Sequence, residues 1–176
     1  ISVHDGSTTY HVPLLLEKQN ILGILCEYLD LQLDRAHPHV EQGKRMWDNW
    51  VYLVRSQDTI IDTISIALVG KYTSNKDAYL SVSKSIEHAA MYCHKKVRII
   101  WIDAAHLEEE TYRTSAVKYH KAWHDLCSVK GIVVPGGFGT HATGGMIRAI
   151  TWARTNKKPF LGICLGMQLT VVEYAR

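Results

Sequence analysis

The chain has 176 residues, 47% of them hydrophobic and 21% charged, with a formal net charge of +3; that is enough to bury one core and part of another. Lys and Arg are interleaved with Asp and Glu, which argues against a nucleic-acid-binding stripe, and no window reaches the roughly 20 apolar residues of a membrane span. The four cysteines, Cys26, Cys93, Cys127 and Cys164, form no Cys-x-x-Cys pair and lack the density of a secreted scaffold, so a reducing cytoplasm is expected. The chain has no initiator Met, opens without a targeting signal and stops at Tyr174-Ala175-Arg176 inside an expected helix. Both ends are therefore expected to continue into a longer protein.

Val12-Pro13-Leu14-Leu15-Leu16 leads into a helix expected to end near Leu31, with Leu15, Leu16, Ile21, Leu22, Leu25 and Leu29 too numerous for an isolated surface helix. Residues 31–62 are polar and read as a linker carrying a helix from about Met46 to Ile61, with Trp47, Trp50, Val51 and Val54 near one face. After residue 63 strand and helix alternate. The apolar run 64–70 ends in Gly70, and Ala78, Val82, Ile86 and Ala89 follow at helical spacing. A second strand covers 97–103, a helix about 117–129, a third strand 131–134, a helix carrying Met146, Ile147, Ile150 and Ala153, and a fourth strand 159–163. Near-continuous apolar strands separated by helices imply an α/β fold, a mostly parallel sheet covered by helices on both faces. Ligands of such sheets sit at the carboxyl ends of the strands.

Two of those ends carry unusual residues. Gly162-Ile163-Cys164-Leu165-Gly166-Met167-Gln168 is a Gly-x-Cys-x-Gly turn between strand and helix, the cysteine form of a nucleophile elbow in which flanking glycines permit a tight, strained turn. Cys164 then stands at a helix N-terminus, whose partial positive charge favours a thiolate. The Leu165 N–H is aimed where an oxyanion forms. Pro135-Gly136-Gly137-Phe138-Gly139, at the other strand end, supplies a second backbone donor that no side chain obstructs. A lone Cys at a strand end is more often an inert buried thiol, and a lone Gly-Gly more often a turn. Their combination in this order points to a catalytic thiol with an oxyanion hole.

These two motifs resemble the triad-type, class I glutamine amidotransferases, and among them the CTP synthases, eukaryotic more than bacterial. Leu68-Val69-Gly70-Lys71-Tyr72, Asp77-Ala78-Tyr79 and Ser85-Ile86-Glu87-His88-Ala89 are similar to the opening of their glutaminase domain, and residues 5–15 to the close of their ATP-dependent amidoligase domain. Val117 to Trp123 and Lys157 to Gly162 carry the eukaryotic likeness. The resemblance implies a flavodoxin-like glutaminase fold that is incomplete at the C-terminus, and three segments: 1–30 the end of the amidoligase domain, 31–62 the linker with its helix, and 63–176 the N-terminal half of the glutaminase domain. It implies that Cys164 attacks the glutamine amide, that Gly136, Gly137, Leu165, Gly166, Met167 and Gln168 line the oxyanion and glutamine sites, and that the partner His and Glu lie after residue 176. Ammonia would aminate UTP activated by ATP, with Mg-ATP on the amidoligase domain and no cofactor or metal on this segment. GTP as activator and a homo-tetramer, with the option of filaments, are further implications.

The family follows its glycine loop with Phe-Gly-x-Arg-Gly-x-Glu-Gly, whereas this chain has Phe138-Gly139-Thr140-His141-Ala142-Thr143-Gly144-Gly145. His141 and Gly144 stand for Arg and Glu, which puts the GTP response in doubt. A non-catalytic or filament-forming module on the same fold is one alternative. Another is a dinucleotide site, because Gly137-Phe138-Gly139-Thr140-His141-Ala142 fits Gly-x-Gly-x-x-Ala; the acidic ribose partner it needs is missing from 154–159. His120 and His124 share a helical spacing but lack further metal ligands nearby, His37 and His39 read as linker residues, Lys71 as a strand-end residue, and Glu108-Glu109-Glu110 as a solvated acidic turn.

Overall fold

In the computed structural model, residues 1–4, 8–32 and 39–176 are described, and they form two compact units, Ile1–Ile60 and Ile61–Arg176. His37 and the 5–7 part of the amidoligase-like stretch lie outside the described residues.

The first unit is helical. Instead of one helix reaching Leu31 there are two, α1 (Val12–Lys18) and α2 (Ile21–Tyr28), because Asn20 between them takes a left-handed conformation, φ 55° and ψ 42°. Asn is among the few side chains that tolerate that region. α3 spans His39–Thr59, beginning at His39 rather than near Met46. Its Trp50 donates a ring N–H to the Tyr10 carbonyl at 3.1 Å, and the two rings lie 6.0 Å apart. Leu22, Leu25 and Leu29 remain exposed.

The second unit is a four-stranded parallel sheet. Its strands are β1 (Thr63–Gly70), β2 (Lys96–Asp103), β3 (Gly131–Val134) and β4 (Phe160–Gly162), in the order β2-β1-β3-β4. All three pairings are parallel, as the apolar runs predict. The chain moves outward from β1 to β2, then returns across β1 to β3 and β4. Crossovers of one hand made in opposite directions put their helices on opposite faces.

Residue alternation along the strands confirms the two faces. Ala67, Val69, Ile132 and Val134 join a buried core with Ala122 and Leu126 of α6 (Ala116–Ser128), Met146, Ala149, Ile150 and Ala153 of α7 (Thr143–Thr155), and Leu169 of α8 (Leu165–Tyr174). The intervening Val133 faces Val82, Ile86 and Ala89 of α4 (Leu80–Tyr92), together with Leu161 and Ile163. Arg154 of α7 and the buried Glu173 of α8 close the first face with a forked ion pair, Nη2 to Oε1 at 2.8 Å and Nε to Oε2 at 3.0 Å. That hydrogen bonding holds the Glu173 carboxyl below its ordinary range. A short helix α5 (Glu109–Thr114) precedes α6. Among the described residues no helix is long and apolar enough to cross a membrane.

Candidate active site

The order reversal beside β1 places the carboxyl ends of β1, β3 and β4 next to one another, the position where open parallel sheets bind ligands. From β4 the chain continues its pairing for one more bond, Ile163 N–H to Val134 O at 2.9 Å, and then turns into α8. Cys164 sits at that turn with φ 52° and ψ −109°, a conformation that a side chain rarely occupies and that costs on the order of 1–3 kcal/mol. The thiol is exposed.

The glycines on either side of Cys164 are sterically required. A β-carbon on Gly162 would lie 2.8 Å from backbone atoms of Gly166 and Met167, and one on Gly166 would lie 2.0 Å from Val134 O. The elbow is thus wedged between its own helix and β3. Leu165, the first residue of α8, has an N–H with no carbonyl a turn behind it to accept it. Gly166 N–H returns to Ile163 O, and Gln168 N–H to Cys164 O at 3.0 Å.

The glycine loop after β3 packs directly on this turn. The β-carbon position of Gly136 is 3.4 Å from Cys164 Cβ and 3.8 Å from Sγ, and that of Gly137 is 3.6 Å from Leu165 Cδ2. Every site residue expected from the sequence, Cys164 with Gly136, Gly137, Leu165, Gly166, Met167 and Gln168, therefore belongs to one of the two adjoining strand ends. Met167 and Gln168 are exposed on the first turn of α8. The glycine loop whose residues fit a dinucleotide fingerprint packs on the Cys164 thiol and the Lys71 stem.

Four contributors were not expected. Lys71 is no ordinary strand-end residue: it is buried, and its ammonium donates to Phe138 O at 3.1 Å and to Gly139 O. Tyr72 Oη accepts the Phe138 N–H at 3.3 Å. Tyr79 Oη accepts the Lys71 N–H at 3.1 Å and reaches Gly136 O at 3.5 Å. Burial pushes the Tyr79 phenol above its ordinary range, outweighing the N–H bonds that act the other way. The one available signal was a charge placed directly after an apolar strand, at the end where such sheets work.

Glu108 is likewise not a free acidic turn. Its carboxylate accepts the Gly145 N–H at 3.0 Å in the first turn of α7, and a β-carbon on Gly144 would stand 2.9 Å from Glu108 Oε1. The space beside Gly144 is taken by a carboxylate from elsewhere in the chain. Glu109 and Glu110 are exposed, in the first turn of α5. His141 is exposed, and Ala142 adopts φ 56° before α7. His120 and His124 are exposed on α6, and no group of three metal-ligating side chains occurs among the described residues.

Comparison with known proteins agrees with this geometry. A CTP synthase from Neurospora crassa is 52% identical over all of this chain, which covers 30% of that protein. Human CTP synthase 1 is 49% identical over the whole chain, which covers 29% of it. The chain thus spans about 30% of the length of the curated relatives it matches. A solved structure described as the Trypanosoma brucei CTPS glutaminase domain with bound acivicin aligns with a TM-score of 0.55 and 35% identity, over 64% of this chain and 40% of that one. The family profile Glutamine amidotransferase class-I matches residues 75–176, a stretch holding both the glycine loop and the elbow. On that match the chain belongs to the class I glutamine amidotransferases.

Proposed function

We propose that the chain is the part of a CTP synthase that hydrolyses glutamine through Cys164. The observation carrying this reading is the strained Cys164 backbone, φ 52° and ψ −109°, with the β-carbon position of Gly136 only 3.4 Å from Cys164 Cβ. A protein keeps such strain where the exposed side chain has work to do. The thiolate adds to the side-chain amide carbon of glutamine, and the carbonyl oxygen becomes an oxyanion received by the N–H groups of Gly137 and Leu165. Each such donor stabilises the transition state by about 3–4 kcal/mol. Collapse of the adduct breaks the carbon–nitrogen bond, ammonia takes a proton and leaves, and water then releases glutamate from the thioester.

The His and Glu that carry and orient the protons belong, on this reading, to sequence beyond Arg176, in keeping with the chain's share of its relatives' length. Ammonia is consumed by UTP phosphorylated with ATP on an amidoligase domain of which residues 1–30 are the end, residues 31–62 being the linker. A cytoplasmic homo-tetramer activated by GTP completes the proposal, with weaker activation than in relatives that carry Arg and Glu at 141 and 144. An imidazole lacks the planar fork with which guanidinium holds phosphate or carboxylate.

The test uses the intact protein. An electrophilic glutamine analogue should label Cys164, and Cys164→Ala should abolish glutamine-dependent CTP formation while sparing formation from added ammonia. Equal loss of both activities in a folded variant would overturn the assignment.

A further inference from the structure

The geometry points to Lys71, Tyr72 and Tyr79 as positioning residues that set the oxyanion hole, an inference that rests on the glutaminase reading above. Between Gly136 and Thr140 there are four consecutive peptide units, and the segment that follows β1, from Lys71 to Tyr79, tethers every one of them. Tyr79 Oη reaches the Gly136 carbonyl of the first, at 3.5 Å the longest contact of the set. Tyr72 Oη accepts the Phe138 N–H of the second at 3.3 Å. Lys71 Nζ donates to the Phe138 carbonyl of the third at 3.1 Å and to the Gly139 carbonyl of the fourth.

Peptide planarity makes these tethers matter at a distance. The carbonyl and the following N–H leave opposite sides of one rigid plane, so drawing Gly136 O toward Tyr79 sends the Gly137 N–H the other way, to the side away from the tyrosine. Without tethers a loop holding Gly136, Gly137 and Gly139 would rotate these planes at little steric cost, and the donor would be aimed for only part of the time. The Lys71 stem also packs on Gly137, Cδ lying 3.2 Å from its β-carbon position. None of the three side chains needs to touch glutamine to do this.

The experiment compares the intact protein with Lys71→Met, which keeps the stem and removes the donors, and with Tyr72→Phe, an exposed position where the loss of one hydroxyl leaves folding undisturbed. Two rates are read: glutamine hydrolysis, and alkylation of Cys164 by iodoacetamide, followed by mass spectrometry of its peptide. Alkylation needs an accessible thiolate but no oxyanion donor. For Lys71→Met the kcat for glutamine is expected to fall about 100-fold with KM within about threefold, and for Tyr72→Phe about 3- to 10-fold, alkylation staying within about twofold in both. Lys71→Arg should recover part of the lost kcat.

A kcat within threefold of native in both variants would overturn the proposal, as would alkylation falling in parallel with hydrolysis, which is the mark of a collapsed site. Cys164→Ala run alongside separates the two levels. If it retains glutamine hydrolysis, the glutaminase reading itself fails; if it is inactive while Lys71→Met is fully active, only the positioning role fails.

Discussion

Gly166→Ala is the sharpest test of how the elbow is held. The new methyl would lie 2.0 Å from Val134 O, whereas ordinary contact begins at 3.4 Å, so the start of α8 and the end of β3 must part by about 1.4 Å. Neither side has a flexible tip to move: the obstacle is a backbone oxygen that already accepts the Ile163 N–H at 2.9 Å. The separation therefore carries Cys164 and the Leu165 N–H away from Gly136 and Gly137. Misplacement by about 1 Å costs on the order of 100-fold in rate, while overpacking of this kind costs about 1–3 kcal/mol in stability. The expected result is a folded protein whose kcat/KM for glutamine, followed by glutamate release, drops at least 100-fold, with a urea midpoint lowered in proportion to the stability loss. A variant with activity within tenfold of native would show that the elbow tolerates displacement and that the close fit against β3 is not what aims the thiol.

Two further predictions concern packing between elements. Glu173→Gln should lower thermal stability at neutral pH; because Arg154 holds the Glu173 carboxyl below its ordinary value of 4.5, the native advantage is present above that value and shrinks as pH falls through the depressed one, and melting curves showing a gap independent of pH would contradict this. Gly144→Glu should destabilise the protein by placing a second carboxylate against Glu108, and Glu108→Ala should relieve that cost, so a double-mutant cycle in urea that proves additive would refute the contact.

Much of this protein was legible before any coordinates, because the relevant signals are local. Apolar run length and 3.6-residue spacing mark the four strands and the helices between them, and a Gly-x-Cys-x-Gly turn states its geometry in five residues, since only glycine fits where backbone meets backbone. The break at Asn20 is a miss of the same local kind: a left-handed residue inside an apolar helical pattern leaves the periodicity almost unchanged.

What the sequence could not display is whatever the sheet order brings together. Lys71 meets Phe138 across 67 positions, and Glu108 meets Gly145 across 37. Neither pair has a spacing rule. Both exist because β1 lies between β2 and β3, so that its end faces the glycine loop while the turn after β2 faces the start of α7. The Gly-x-Cys-x-Gly turn that presents Cys164 is thus a local property of the chain, determined by sequence alone. The placing of the glycine loop against that turn is a property of strand order, decided by long-range packing that appears only once the sheet has formed.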